Sequence, residues 1–386
     1  MTYLTASDSK KCRLLYLVGQ LGRGGSERQL SYLLQGMDRE RYSPIVVVWN
    51  HSPDDFYVKE IKTLGVPIHS LPSGVSRVAK LQAFCCLTGR LKPEVIHSYT
   101  FFTNFAAYWA GLRTRAVAVG SLRGDLAHAK KDSGPWIGCL SARWPRDQIS
   151  NNFASAKKAR ASYGISSHKR ISVIWNGVDL QRFCCFNSNA ASKRSIVGIG
   201  SLLPLKRWDR VLRIVRLVRN KNAACKVVIV GEGPERGSLE RLARDLGVAQ
   251  AVEFIGATSD VPAILRESRF LVHTSDIEGC PNAVLEAMAC GRGVVAMEAG
   301  DISTLIEDGK TGFVVRQGDE EAFAQRVLQL LADDELCLRM GRAARAKAER
   351  QFGLDRFVSE TLSAYRSAGW KDSGIQHLCQ HRRRDL

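Results

Sequence analysis

Short apolar runs alternating with amphipathic stretches set the rhythm of this chain. The runs Arg13 to Val18, Ile45 to Trp49, Glu94 to His97 and Ala116 to Ser121 have the length and composition of strands buried on both faces. Between them, Glu27 to Gln35 and Val78 to Leu91 carry apolar residues at helical spacing. Leu64 to Leu71 reads as a helix end, a turn and a strand. Beyond residue 190 the alternation resumes. Strands are predicted at Ser195 to Gly200, Lys226 to Val230, Val252 to Gly256, Arg269 to Thr274 and Val294 to Met297. Helices are predicted at Val211 to Arg219, Glu240 to Leu246, Pro262 to Ser268, Gln317 to Leu331, Glu335 to Arg350 and Phe352 to Tyr365. Ile306 to Val315 predicts a hairpin-like turn.

Strand–helix alternation in two blocks predicts an α/β protein with two doubly wound, Rossmann-like domains. A length of 386 residues also exceeds what one hydrophobic core usually spans. Cys184 to Ser195, rich in Asn, Ser and Ala, reads as the linker, so the domains are placed at residues 1–187 and 188–351. The tail 370–386, ending HRRRDL, reads as disordered. No apolar run is long enough to cross a bilayer, and the first residues do not have a secretory pattern. The expected location is therefore cytoplasmic. Eleven cysteines, two adjacent pairs and no CxxC argue for free thiols rather than disulfides or a zinc site.

Charge changes the picture further. Residues 1–190 hold 26 Lys and Arg against 12 Asp and Glu, a balance of +14, whereas residues 191–386 hold 30 against 26, a balance of +4. A basic first half suits solubility or an anionic surface such as a membrane or a phosphorylated substrate. No helix-turn-helix, zinc-finger or aromatic RNA-binding pattern accompanies it, so nucleic acid is not expected as a partner.

The chemistry concentrates in Ser275 to Gly291, SDIEGCPNAVLEAMACG. Two carboxylates, Glu278 and Glu286, stand eight residues apart. Pro281 suits the first turn of a helix, Val284, Leu285 and Met288 give that helix an apolar face, and Gly291 supplies its C-terminal stop. Glu278 is thus expected on a strand-to-helix loop and Glu286 about two turns further on. The loop and the helix N-terminus make a natural anion seat, with a hydroxyl acceptor on either side. That combination suits a sugar nucleotide.

The stretch resembles the E-x7-E signature of the retaining GT-B glycosyltransferases of family 4, also called glycosyl transferases group 1. Further segments resemble the same family: Gly24, Gly25, Ser26 and Glu27 its G-G-x-E, Pro93 to Ser98 its P-D-x-V-H, Ile171 to Phe183 its N-G-V-D segment, Gly231 to Pro234 its G-x-G-P, and Asp308 to Gly312 its D-G-x-T-G. The resemblance implies the GT-B fold, with two doubly wound domains facing across a cleft and a last helix, about 352–366, crossing back onto the first. It implies transfer of a sugar from a nucleoside diphosphate donor with retained anomeric configuration. In that scheme Glu278 binds hydroxyls of the transferred sugar and Glu286 those of the ribose. Lys206, with Arg207, neutralises the diphosphate, helped by Gly279, Cys280, Pro281 and Asn282. Gly256 lies near the base, and Gly24 and Gly25 approach from the first domain. No enzyme nucleophile is implied, the leaving phosphate itself helping to guide the acceptor.

Two departures stand out. Ser201 occupies the place of the family's arginine before that lysine, and Arg123 the place of a His that reaches the transferred sugar. Arginine cannot act as acid or base near neutrality, but it can bind a hydroxyl or an acceptor phosphate. His97, at a strand end, reads either as a site residue or as a satisfied structural histidine. The loop GQLGRGGS fails the dinucleotide fingerprint, because Glu27 stands where the third glycine belongs, so NAD is disfavoured. No D-x-D is present, Asp276-x-Glu278 being nearest, so neither a metal nor another cofactor is expected. The expected acceptor is a glycan or a polyprenyl-linked saccharide in cell-surface polysaccharide synthesis, met on the inner, anionic face of the membrane. A sugar-nucleotide epimerase or phosphorylase, or a catalytically silent binder, remain the alternatives.

Overall fold

The structure, a computed structural model, describes residues 11–52, 55–124, 126–163, 170–184, 195–221 and 225–372. The expected linker (from residue 185) and the tail beyond residue 372 lie outside the described residues. The chain divides into two compact units, 1–175 with 354–386, and 176–353.

The first unit carries seven parallel strands: β1 (Cys12–Val18), β2 (Tyr42–Val48), β3 (Ile68–Ser70), β4 (Val95–Ser98), β5 (Val117–Leu122), β6 (Asp147–Ser150) and β7 (Arg170–Val173). Their order across the sheet is β3-β2-β1-β4-β5-β6-β7. Both faces of β1 are used. Leu14, Tyr16 and Val18 enter one apolar cluster, and Leu15 and Leu17 enter another. This is why its sequence reads as an unbroken apolar run. The helix Leu354–Ser367 belongs to this unit and adds Phe357, Val358, Leu362 and Tyr365 to its core.

The second unit has six parallel strands: β8 (Ser195–Ile199), β9 (Lys226–Val230), β10 (Val252–Gly256), β11 (Phe270–His273), β12 (Gly293–Met297) and β13 (Gly312–Val315), ordered β10-β9-β8-β11-β12-β13. Its core packs Trp208, Leu212 and Val215 of the helix Trp208–Arg219 against Ile196, Val227, Ile229 and Val272. Both sheets are therefore doubly wound, in the Rossmann-like manner predicted from the alternation.

Several local readings need correction. The segment 176–184, assigned to the first domain, packs with the second unit, where Val178 N donates to Phe352 O at 2.8 Å. Ile306 to Val315 is no hairpin: only Gly312–Val315 is a strand, and it pairs in parallel with β12. Strand β6 has no apolar run to announce it, because DQIS is polar. Its buried Gln148 Nε2 and Ser150 Oγ instead donate to main-chain carbonyls of Ser141, Ala142, Pro145 and Asn152. The tail's first residues are also fixed. Trp370 Nε1 donates to Glu94 at 3.0 Å, and Asp372 accepts from Tyr42 at 3.0 Å and pairs with Arg366 at 2.8 Å.

Candidate functional site

The chemistry predicted for the second unit gathers at the C-terminal ends of β8 and β11. These strands are neighbours, and the chain leaves them toward opposite sides of the sheet. In a doubly wound fold that is the switch point where a crevice opens. After β8 a short 3-10 turn, Pro204–Lys206, carries Lys206, and Arg207 follows with a left-handed φ of 53°. After β11 the chain runs through Thr274 to Cys280 into the helix Asn282–Ala289. The two loops are pinned together. Asp276 N donates to Leu205 O at 2.9 Å, and Thr274 Oγ1 donates to the Lys206 and Arg207 carbonyls at 3.2 and 3.1 Å.

This pinning brings Lys206 Nζ to 2.5 Å from Glu278 Oε1. His273 Nε2, at the end of β11, stands 3.2 Å from the same oxygen. The Glu278 side chain is 9% exposed. Burial pushes its carboxyl upward, but the His273 imidazole and the Lys206 ammonium outweigh burial and hold it down at about 2. Glu278 is therefore an anion, and an acceptor only, at any physiological pH.

Asp276 sits one step away and is held differently. Arg207 Nη1 donates to one of its oxygens at 2.9 Å, and Arg210 Nη1 to the other at 2.6 Å. Gln317 Nε2 adds a bond at 2.9 Å. Arg207 also grips Asp209 with two bonds of 3.0 Å. Both Arg207 and Asp276 are thus committed to tying the loop to the helix Trp208–Arg219. Among the described residues no three His, Cys, Asp or Glu side chains gather as a metal would require.

The helix that carries Glu286 begins at Asn282, with Pro281 at its N-cap rather than inside its first turn. It ends with Gly291 at φ 67°, whose N–H bonds Met288 O while Arg292 N bonds Ala287 O, a Schellman close. Glu286 itself is buried. Asn176 Nδ2 donates to Cys280 O at 2.8 Å and to Asn282 Oδ1 at 2.7 Å, fixing the loop that leads into the helix. Gly300, at φ 57°, lies so close to Glu278 O that any Cβ there would overlap it. Gly279 is the next residue of that loop, and its carbonyl lies 3.2 Å from the same Cβ position.

The remaining predicted positions fall in both units. Ser201 is exposed, and its carbonyl accepts from Trp208 Nε1 at 2.9 Å. Gly256, at φ 78°, ends β10, and its carbonyl accepts from Gly231 N at 2.9 Å. In the first unit, Gly24 caps the helix Gly25–Gln35, its carbonyl accepting from Arg28 N at 3.2 Å. Arg123, just past β5, lies with its guanidinium carbon 4.1 Å from the Tyr99 ring centroid. Beneath it His97 is a satisfied core histidine: Nδ1 pairs with Tyr365 Oη at 2.7 Å and Nε2 with Ser121 Oγ at 3.0 Å. Burial, reinforced by the nearby Arg123 charge, holds its pKa well below the ordinary value. Lys206, Arg207, Glu278, Gly279 and Cys280 thus lie on two adjoining loops of the second unit, while Arg123, Gly24 and Gly25 belong to the first. The sequence reading missed His273, Asn176 and Gly300. The available signals were a lone polar residue closing an apolar strand, an Asn-Gly turn, and a glycine followed by an acid after β12.

Two family models match the chain. One, described as Glycosyltransferase Family 4, covers residues 23–182, and the other, Glycosyl transferases group 1, covers residues 193–333. Between them they take in most of the chain, and by them it belongs to the family 4, group 1 glycosyltransferases, which have the GT-B fold. N-acetyl-alpha-D-glucosaminyl L-malate synthase of Bacillus anthracis is 31% identical over 175 residues, 45% of each chain. GDP-mannose-dependent alpha-(1-6)-phosphatidylinositol monomannoside mannosyltransferase of Mycolicibacterium smegmatis is 35% identical over 208 residues, 49% of this chain and 53% of that one. The chain spans about half the length of the curated relatives it matches. The crystal structure of Anabaena HepE in complex with UDP-glucose superimposes with a TM-score of 0.78 at 20% identity, over 91% of this chain and 99% of that one, and shares its fold.

Proposed function

We propose that this protein is a retaining, metal-independent glycosyltransferase. It moves a sugar from a UDP- or GDP-linked donor to a glycan or polyprenyl-linked acceptor, at the inner face of the membrane, in cell-surface polysaccharide synthesis. One observation carries the reading: Lys206 and Glu278 meet at 2.5 Å at the switch point of the second sheet, on loops pinned to each other. The names of the relatives and the UDP-glucose bound to HepE support it.

The chemistry follows from the charges. When the sugar–phosphate bond breaks, its electron pair leaves with the nucleoside diphosphate. A cation fixed beside that oxygen stabilises the developing charge without reorganising. Lys206 has three donors and gives one to Glu278, so two can turn to phosphate oxygens. Glu278, kept ionised, accepts from hydroxyls of the transferred sugar. The N-terminus of the helix Asn282–Ala289 adds its partial positive charge. Glu286, on that helix, is assigned the ribose hydroxyls. Arg207 contributes by holding Asp276 rather than by touching the donor. Gly24, Gly25 and Arg123 are assigned to the acceptor side. No helix of the described residues is long and apolar enough to cross a membrane.

A panel of UDP- and GDP-sugars, scored by thermal stabilisation and then by product analysis with and without EDTA, tests the proposal. One donor class should raise Tm and yield an α-linked product from an α-linked donor, with turnover unchanged by EDTA. No stabilisation by any sugar nucleotide would remove the transferase reading, and loss of turnover in EDTA would remove its metal-free chemistry.

A further inference from the structure

The helix Asn104–Thr114 of the first unit, NFAAYWAGLRT, is amphipathic the wrong way round for a helix of a purely soluble protein. Its buried side is made of Ala106, Ala107, Ala110 and Gly111. A Cβ on Gly111 would already stand 3.0 Å from Ala116 O and from the Ala118 side chain, so the helix lies hard against β5. The large residues Phe105, Tyr108, Trp109 and Leu112, spaced i, i+3, i+4 and i+7, form the opposite stripe. Trp109 is 42% and Leu112 60% exposed. The helix Pro135–Arg143, which packs against it, carries Trp136, 83% exposed, and Tyr108 stacks on Trp144 just past that helix with ring centroids 5.4 Å apart. Isolated exposed apolar residues need no explanation, but Trp109, Leu112 and Trp136 exposed together on two packed helices do.

Charge identifies the occupant. Residues 95–124 and 133–146, which contain both helices, hold no Asp or Glu, and the eight residues between them hold Asp125 and Asp132 beside Lys130 and Lys131. Arg113, Arg115, Arg143 and Arg146 are all exposed on them, and Arg143 lies over the Trp144 ring at 5.2 Å. The next acid along the chain, Asp147, is taken by Arg170 at 2.7 Å. Tryptophan and tyrosine beside exposed arginines match the chemistry of a bilayer interface, where rings sit among headgroups and cations meet lipid phosphates. We propose that the face formed by Asn104–Thr114 and Pro135–Arg143 docks the protein on an anionic lipid surface. The inference deepens the peripheral membrane location given under the proposed function, but its evidence is independent of the sugar-nucleotide site.

The test is flotation of the full chain with vesicles of phosphatidylcholine alone or with about a third phosphatidylglycerol, at low and at high salt. Wild type should float with the anionic vesicles at low salt and much less at high salt. The double variant Trp109→Ser, Leu112→Ser should lose at least about tenfold in vesicle affinity, at the roughly 25 cal/mol per Å² expected for buried apolar area. Arg113→Gln with Arg143→Gln should flatten the salt dependence. Each variant must keep the wild-type thermal shift with the donor nucleotide, which reports folding and an intact second unit. Failure of wild type to float, equal binding to neutral vesicles, or unchanged binding by the serine variant would overturn the proposal. So would a wild-type dimer that the serine variant dissolves, since a second copy would then cover the face. Should wild type float while no sugar nucleotide stabilises it, the docking face stands and the transferase reading falls.

Discussion

Strands β1 and β4 in the first unit stand where β8 and β11 stand in the second, at the switch point of a doubly wound sheet. The groups at those strand ends differ in kind. In the second unit they are ionised and paired: Lys206 with Glu278, and Arg207 and Arg210 with Asp276. In the first unit the strand ends close over a buried neutral network, in which His97 bridges Tyr365 and Ser121 among the rings of Tyr16 and Tyr99. Topology thus supplies the same opening twice, and side chains decide whether it becomes an anion seat or a packed core. On the proposed function the donor belongs to the second unit, while the first keeps its buried network beside Arg123.

The hardest blow to that contrast is Lys206→Ala. If Lys206 carries the leaving diphosphate, its loss should lower kcat by about 10² to 10³, the usual cost of removing one preorganised charge-stabilising group. It also leaves the buried Glu278 carboxylate without its ammonium partner, so a stability loss of about 3 kcal/mol is expected. Single-turnover kinetics beside a denaturant melt separates the two. A variant that folds and retains full turnover would mean that the seat lies elsewhere.

His97→Phe probes the neutral side of the comparison. The substitution leaves Tyr365 Oη and Ser121 Oγ buried without their partner, at a cost of about 1–3 kcal/mol. The sign of the pH effect follows from the lowered pKa of His97. Below the ordinary imidazole value of 6.5 the unfolded chain takes up a proton that the folded one refuses, so stability falls as pH drops through that value. Glu278 behaves differently. Its contribution, present above the ordinary 4.5, is lost only as pH falls toward about 2. Melts between pH 7 and 5 should therefore show a smaller slope in His97→Phe than in wild type, with donor binding unchanged. An identical slope in both proteins would show that another group titrates there.

What the sequence could disclose follows the same division. The apolar runs announced nearly every strand of both sheets, because a parallel strand buried on both faces must be apolar throughout. The exceptions were informative. β6 is polar and pays with side-chain bonds to carbonyls, and β7 buries only Ile171 fully. At the site, the spacing of Glu278 and Glu286 located the loop and the helix. It could not show that Asn176 holds that loop from 106 residues before Asn282, nor that Gly300 clears a space for the Glu278 carbonyl. Those contacts are tertiary, and no local pattern encodes them. Arg207 was read as a phosphate ligand for the same reason: a cation beside Lys206 looks available until its carboxylate partners are seen.

That last point gives the finest cut, and the smallest effect. Arg207→Gln removes pairs to Asp209 and Asp276 whose partners are roughly a third exposed, while Arg210 still holds Asp276 and Arg213 still holds Asp209. Exposed pairs of this kind contribute about 0.2–1 kcal/mol, and salt screens them further. Stability should fall by less than about 1 kcal/mol, and KM for the donor should move less than about threefold, against the large kcat loss expected at Lys206. Steady-state kinetics on the two variants side by side decides the matter. A tenfold rise in KM at Arg207→Gln would mean that its guanidinium leaves the carboxylates for the diphosphate when donor binds. The seat would then hold two cations where the ligand-free loop presents one.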